Sequence, residues 1–173
     1  VYMVATNTST FVATVYKSID GGSSWNPSGA GLPGGQSVQS VHYTNGVLLC
    51  GTEGGIYRST NAGSSWTLAN PSPLPNASSS NYAKKFFQFG STTLAVYSAS
   101  IGSAGGIYRS TDGGVQWFNG NGGLALNMVV HQVAEAGGLL YTATTAGLAS
   151  SNNLAVTWNQ IATANFACYG VQG

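Results

Sequence analysis

Ser110-Thr111-Asp112-Gly113-Gly114-Val115-Gln116-Trp117 decides the fold, because the chain writes this eight-residue box four times. The other copies are Ser18-Ile19-Asp20-Gly21-Gly22-Ser23-Ser24-Trp25, Ser59-Thr60-Asn61-Ala62-Gly63-Ser64-Ser65-Trp66 and Ser151-Asn152-Asn153-Leu154-Ala155-Val156-Thr157-Trp158. Each has Ser first, Asp or Asn third and Trp eighth, and the pattern takes up all 4 tryptophans of the chain. A tight turn between two strands explains the spacing. The Asp or Asn oxygen accepts backbone N–H groups two residues on, as in an Asx-turn. Gly22, Gly63 and Gly114 supply a backbone conformation that other residues resist. Trp25, Trp66, Trp117 and Trp158 then open the next strand and lay their indoles over the turn and between neighbouring sheets. Asn61 and Asn153 can replace Asp because the carbonyl oxygen, not the charge, is the group that works.

The box serines Ser18, Ser59, Ser110 and Ser151 stand 41, 51 and 41 residues apart. A period of about 40 residues with strand-like content is the mark of propeller blades. The flanks repeat as well. Gly55-Ile56-Tyr57-Arg58 and Gly106-Ile107-Tyr108-Arg109 precede two boxes, and Val15-Tyr16-Lys17 and Gly147-Leu148-Ala149-Ser150 are weaker copies. Further upstream lie Val47–Cys50, Leu94–Tyr97 and Leu139–Tyr141. Earlier still come Val38–Val41, Phe86–Phe89 and Val129–Val133. Each unit thus reads as four short strands bounded by Gly, Asn and Ser, with no helical periodicity.

In these boxes the chain resembles the Asp-box (BNR) repeat family, whose members include bacterial sialidases, sortilin-type receptors, xyloglucan-active hydrolases and photosystem assembly factors. The resemblance covers the whole chain. It implies an all-β fold: a β-propeller or propeller segment of about four four-stranded antiparallel blades. The box would join the third and fourth strands of each blade at the outer rim, away from the axial face. It informs fold far more than function. The fourth copy carries Ala155 in place of glycine, so a distorted turn is expected there.

The units run approximately 1–30, 31–70, 71–122 and 123–162 within a single domain. The first lacks an innermost strand, and residues 163–173, with Phe166-Ala167-Cys168-Tyr169, read as a first strand completing unit one or starting another blade. A closed ring of four and a segment of a larger or multi-chain ring both remain open; the missing initiator Met favours the second. The third unit carries the ten extra residues, mostly in the Pro- and Ser-rich stretch 71–82 with a smaller share in 100–104. An outgrown loop is where repeat proteins tend to bind, which makes Asn76, Tyr82, Lys84 and Lys85 a candidate binding loop. Neutral drift of the loop explains its length equally well.

Charged residues make up 5% of the chain, against roughly a quarter in an average soluble domain, and net charge is +1. Such a surface fits a secreted or surface-displayed protein. It excludes a nucleic-acid interface, which needs clustered Lys and Arg. No run spans a bilayer. The 2 cysteines, Cys50 and Cys168, match no metal spacing; they read as small buried hydrophobes or as one disulfide.

The residues offer little chemistry. The carboxylates are Asp20, Glu53, Asp112 and Glu135. Two are committed to boxes, and Glu53 and Glu135 lie two units apart, which is poor material for the paired carboxylates of a glycosidase. Arg58 and Arg109 precede boxes and read as structural, so the sialidase arginine cluster is missing. His42 and His131 do not align between units: His131 falls opposite Gln39. No nucleophile elbow, phosphate loop, cofactor fingerprint or metal set is found. Asn7 and Asn76 head glycosylation sequons that composition alone explains. The inventory weighs against an enzyme. It points to an extracellular or cell-surface module that binds glycan or protein, or that assembles with its own copies. The alternative is a fragment of a secreted glycoside hydrolase whose catalytic residues lie elsewhere.

Overall fold

Alternating apolar residues between Gly- and Asn-centred turns leave the chain one economical solution, the antiparallel meander, and it forms four in succession. The structure is a computed structural model and describes residues 1–10, 12–35, 37–69, 81–99, 101, 105–162 and 169–172. Blade 1 holds β1 (Tyr2–Thr6), β2 (Ala13–Lys17) and β3 (Asn26–Pro27). Blade 2 holds β4 (Val38–Thr44), β5 (Val47–Thr52), β6 (Gly55–Ser59) and β7 (Thr67–Leu68). Blade 3 holds β8 (Ala83–Phe89), β9 (Thr92–Tyr97), β10 (Gly106–Ser110) and β11 (Phe118–Asn119). Blade 4 holds β12 (Val130–Ala136), β13 (Leu139–Thr144), β14 (Gly147–Ser151) and β15 (Asn159–Ala162). In each sheet the strands lie in chain order. This is a β-propeller segment of four blades, the first of them three-stranded.

The apolar core lies between sheets, which sets the blades in an arc. Val15 of blade 1 packs with Leu48, Cys50 and Trp66 of blade 2. Leu49 and Ile56 pack with Ala95, Tyr97 and Trp117 of blade 3. Leu94, Val96 and Ile107 pack with Val133, Leu140, Ala149 and Trp158 of blade 4. Strand β9 is therefore buried along its whole length, while β1, at one end of the arc, is nowhere fully buried. Among the described residues no strand pairs with the inner edge of β1.

The boxes form the turns between the third and fourth strands, and their hydrogen bonds correct the expected pattern in one respect. The Asx oxygen reaches four residues on, not two. Asp20 Oδ1 accepts from Ser24 N at 2.9 Å, Asn61 Oδ1 from Ser65 N at 2.9 Å, and Asp112 Oδ1 from Gln116 N at 2.9 Å. The box serine closes the other half of the turn: Gly22 N, Gly63 N and Gly114 N donate to Ser18, Ser59 and Ser110 Oγ at 2.8, 2.9 and 2.9 Å. Where Asn replaces Asp, its amide gains a use, donating from Asn61 Nδ2 to Ser65 Oγ at 2.8 Å and from Asn153 Nδ2 to Thr157 Oγ1 at 2.7 Å. The fourth turn is not distorted. Ala155 takes φ 62° and keeps the bond from its N–H to Ser151 Oγ at 3.1 Å, while Thr157 N still donates to Asn153 Oδ1 at 2.9 Å. A single methyl in the left-handed region costs only about 1–2 kcal/mol, which the surrounding bonds and burial outweigh. Each fourth strand starts one residue after its Trp rather than at it.

Consecutive blades are tied at the rim by the residue before each box. Lys17 Nζ donates to Ala62 O at 3.1 Å, Arg58 Nε to Gly113 O at 2.9 Å and Arg109 Nε to Leu154 O at 3.1 Å. In every case the acceptor is the fourth residue of the next box. Trp66 Nε1 and Trp158 Nε1 reach back to the preceding blade, donating to Ser28 O at 2.6 Å and Gly120 O at 2.7 Å. Trp25 and Trp117 instead bond within their own turns, to Gly22 O and Gly114 O.

Candidate functional site

The innermost strands β4, β8 and β12 carry the same irregularity near their starts. The register against the second strand slips by one residue between Val38 and Ser40, between Ala83 and Lys85, and between Val130 and Gln132. The residues inside these bulges are Gln39, Lys84 and His131. A bulge breaks the alternation and re-aims the side chains beside it. The residue after each bulge reaches the segment that follows: Ser40 Oγ donates to Ala83 O of blade 3 at 2.7 Å, Lys85 Nζ to His131 O of blade 4 at 3.4 Å and Gln132 Nε2 to Val171 O of the C-terminal segment at 2.8 Å. Residues 169–172 therefore lie against β12, as β8 lies against β4. The bulges bring Lys84, Lys85 and His131 together between blades 3 and 4, on the face of the arc where the inner strands begin, and the centroid of the Tyr169 ring sits 5.0 Å from that of His131. Tyr169 is 75% exposed, and its ring offers a flat apolar surface to a ligand.

The electrostatics of this group follow from its burial and its crowding. Burial lowers the His131 pKa from the ordinary 6.5, and the neighbouring charges of Lys84 and Lys85 lower it further. Lys84 is also lowered, first by burial and then by Lys85. His131 Nε2 is buried and has no hydrogen-bond partner among the described residues, and no ion pair involves either lysine there.

The remaining candidate residues divide clearly. Tyr82 is half-buried and held by its backbone, donating to Ser98 Oγ at 3.1 Å and accepting from Ser98 N at 2.9 Å. Asn76 and the rest of residues 70–80 lie outside the described residues, as does Cys168. Cys50 is a buried thiol whose pKa burial pushes upward. Asn7 accepts from Ser9 N at 2.9 Å and Thr10 N at 3.0 Å, an ordinary turn. His42 stacks on Phe86 with ring centroids 6.0 Å apart and is held below its ordinary pKa by burial. It borders a groove of about 420 Å³ with Val1, Tyr2, Val41, Tyr43 and Leu48. No group of three or more His, Cys, Asp or Glu is arranged for a metal among the described residues.

The two carboxylates free of the boxes stand at opposite ends of their sheets. Glu53 N donates to Ser37 O at 3.3 Å, beside the start of β4. Glu135 pairs with Leu140 near the far end of β12. Five residues of strand separate Glu135 from the Val130 end, about 17 Å at ~3.4 Å per residue. Glycosidase pairs stand about 5–10 Å apart, so these two cannot flank one bond. Asp20 and Asp112 are engaged at the rim, and Ser24 and Ser18 hold the Asp20 carboxyl well below the usual carboxylate range.

Sequence reasoning reached Lys84 and Lys85 but not their partners. The signal for His131 was present, since unit alignment sets it opposite Gln39; its significance required the bulges. Tyr169 carried no signal beyond an apolar strand.

No family model and no curated protein sequence matches the chain. Solved structures match it in fold. The GH74 xyloglucanase from Xanthomonas campestris is 19% identical with a TM-score of 0.65, over 93% of this chain and 28% of that one. The GH74 enzyme from Niastella koreensis is 20% identical with a TM-score of 0.64, over 95% of this chain and 28% of that one. YCF48 bound to D1 peptide is 18% identical with a TM-score of 0.59, over 91% of this chain and 50% of that one. The chain thus spans between about a quarter and a half of the length of these proteins, and what it shares with them is the β-propeller architecture. No helix of the described residues is long and apolar enough to cross a membrane.

Proposed function

We propose that the chain is part of an extracellular propeller of the Asp-box type and binds a glycan without hydrolysing it. The binding face is the side of the arc where β4, β8 and β12 begin. The observation that carries this reading is the disposition of the carboxylates: two are engaged at the rim, and the other two are about 17 Å apart along the strands alone. An exposed aromatic ring beside donor groups is the usual furniture of a sugar subsite, and Tyr169 with Lys84 and Lys85 supplies it. The charge-poor, hydroxyl- and amide-rich surface supports an extracellular setting.

A second reading is favoured by the likeness to GH74 enzymes. In it the blades belong to a glycoside hydrolase whose acid and base are supplied by other blades. One pair of measurements separates the two. Electrophoresis of the chain through gels cast with soluble polysaccharides reads binding, and release of reducing ends from the same polysaccharides reads hydrolysis. Retardation without release is expected. Release by the 173-residue chain refutes the non-enzymatic reading, and migration unchanged in every polysaccharide refutes glycan binding.

A further inference from the structure

The chain has 5 Lys and Arg residues, and the structure accounts for three of them. Lys17, Arg58 and Arg109 tie one blade to the next at the rim. The other two, Lys84 and Lys85, are adjacent on β8 and sit within and just after its bulge. Lys85 reaches the carbonyl of His131, itself the bulge residue of β12. Two ammonium groups and an imidazole therefore converge from neighbouring blades, and no carboxylate pairs with them among the described residues. Like charges held together without a counter-charge are unfavourable; burial first, and this crowding second, lowers the pKa of Lys84 and His131. His131 Nε2 is a buried polar atom left unsatisfied, an arrangement that carries a desolvation penalty of its own. An oxyanion relieves the first by neutralising the lysines, and its charge favours the imidazolium of His131 beside them.

We propose that Lys84, Lys85 and His131 form an oxyanion site that takes a carboxylate or sulfate group, with the Tyr169 ring, 5.0 Å from His131, as the platform for the body of the ligand. The class of ligand this fits is an acidic saccharide. The site rests on the preceding reading only in using the same face of the arc. Among the described residues the groups facing His131 are Lys84 and Lys85 from β8, Tyr169 from the C-terminal segment and Gln132 beside it, and none of these is acidic. Binding an anion favours the imidazolium, so affinity rises as pH falls through the titration range of His131.

The test is an NMR titration of the His131 ring in the 173-residue chain, alone and with galacturonate oligomers, neutral galactose oligomers of equal length, or sodium sulfate. Galacturonate oligomers are expected to raise the His131 pKa by about one pH unit, the lower end for a close opposite charge, and the neutral oligomers to leave it unchanged. In K84Q/K85Q the pKa without ligand is expected to rise and the response to galacturonate to disappear. The single variant K84Q, with near-UV circular dichroism matching wild type, should show a reduced response. A response to sulfate at equal concentration assigns the site to oxyanions in general, and a stronger one to galacturonate assigns it to sugar acids; both support the site. No movement of His131 with any anion, or an undiminished response in K84Q/K85Q, overturns it. Retardation by a neutral polysaccharide with a silent His131 overturns the oxyanion site and leaves glycan binding standing.

Discussion

Adding one methyl group at the same place in two box turns, and removing it from a third, tests the account of the fold, because the costs should differ by a calculable amount. Gly22, Gly114 and Ala155 are the fifth residues of their boxes, with φ of 97°, 84° and 62°. A Cβ at any of them meets the left-handed penalty of about 1–2 kcal/mol. Replacing glycine also stiffens the unfolded chain, which returns about 0.4–1 kcal/mol. At Gly22 nothing lies nearer to a new Cβ than Trp25 Cζ2 at 3.8 Å, so Gly22→Ala is expected to cost about 1 kcal/mol or less. At Gly114 the Cβ falls 2.5 Å from Leu49 Cδ2, with Leu49 Cδ1 at 3.3 Å. Leu49 is fully buried in the cluster between blades 2 and 3 and has little room to move, so about 1–3 kcal/mol of overpacking is added. Gly114→Ala should therefore cost about 2–4 kcal/mol, a fall in Tm of roughly 5–15 °C for a chain of this size. Ala155→Gly relieves the backbone but gives up a fully buried methyl and frees the unfolded chain, so it should fall within about 0.5 kcal/mol of zero. Urea unfolding followed by tryptophan fluorescence, with calorimetry, reads all three. A Gly114→Ala cost no larger than that of Gly22→Ala refutes the packing argument. A loss above about 1.5 kcal/mol in Ala155→Gly refutes the claim that Ala155 is strained.

Ser110→Ala removes the acceptor of Gly114 N at 2.9 Å within a site of 0% exposure, so it should cost about 1–3 kcal/mol in urea unfolding. Asp20→Asn should leave Tm unchanged at pH 7, since Asn61 and Asn153 fill the same role. The depressed folded pKa of Asp20 contributes stability above its ordinary 3.8 that is lost as pH falls below it, so the variant should lose less Tm than wild type between pH 5 and pH 2. Burial depresses His42 in the folded state, so the unfolded chain binds the proton first and stability falls as pH drops below about 6.5. His42→Gln should flatten that part of a Tm-against-pH curve. Arg109→Gln deletes an exposed tie between blades 3 and 4 and should cost under about 1 kcal/mol, as exposed charge contacts do.

The fold was legible in the sequence because its signal is repeated and local. A Ser, an Asx and a Trp at fixed spacing specify one turn, and four copies about 40 residues apart specify four meanders. The strands before each turn followed from their apolar runs. Two details of the boxes were not legible. The reach of the Asx oxygen to the fourth residue depends on how the serine hydroxyl divides the donors, and the tolerance of Ala155 depends on how many bonds the turn retains. The site was half legible. Lys84 and Lys85 stood out in a chain with little charge. Their meeting with His131 arises from bulges in two strands 46 residues apart, and no local pattern encodes that.

The ten extra residues of the third unit illustrate why the repeat constrains the rim so much more tightly than the face. Lys17, Arg58 and Arg109 reach acceptors 45, 55 and 45 residues further on, yet each acceptor is the same residue of the next box. By the strand bounds four of the ten residues fall between Trp66 and β8 and six between β9 and β10, so the larger share is not in 71–82 as the sequence suggested; both places lie at the end of the blade opposite its box, and the rim contact is unchanged. That side is where Lys84, Lys85 and His131 meet. A chain free to vary one end of its blades without disturbing the other can acquire a ligand site there at little cost to its stability. The charges are arranged accordingly: the three cations at the rim bond carbonyls of the next box, while at the other end Lys85 bonds the His131 carbonyl and no carboxylate pairs with Lys84 or Lys85 among the described residues.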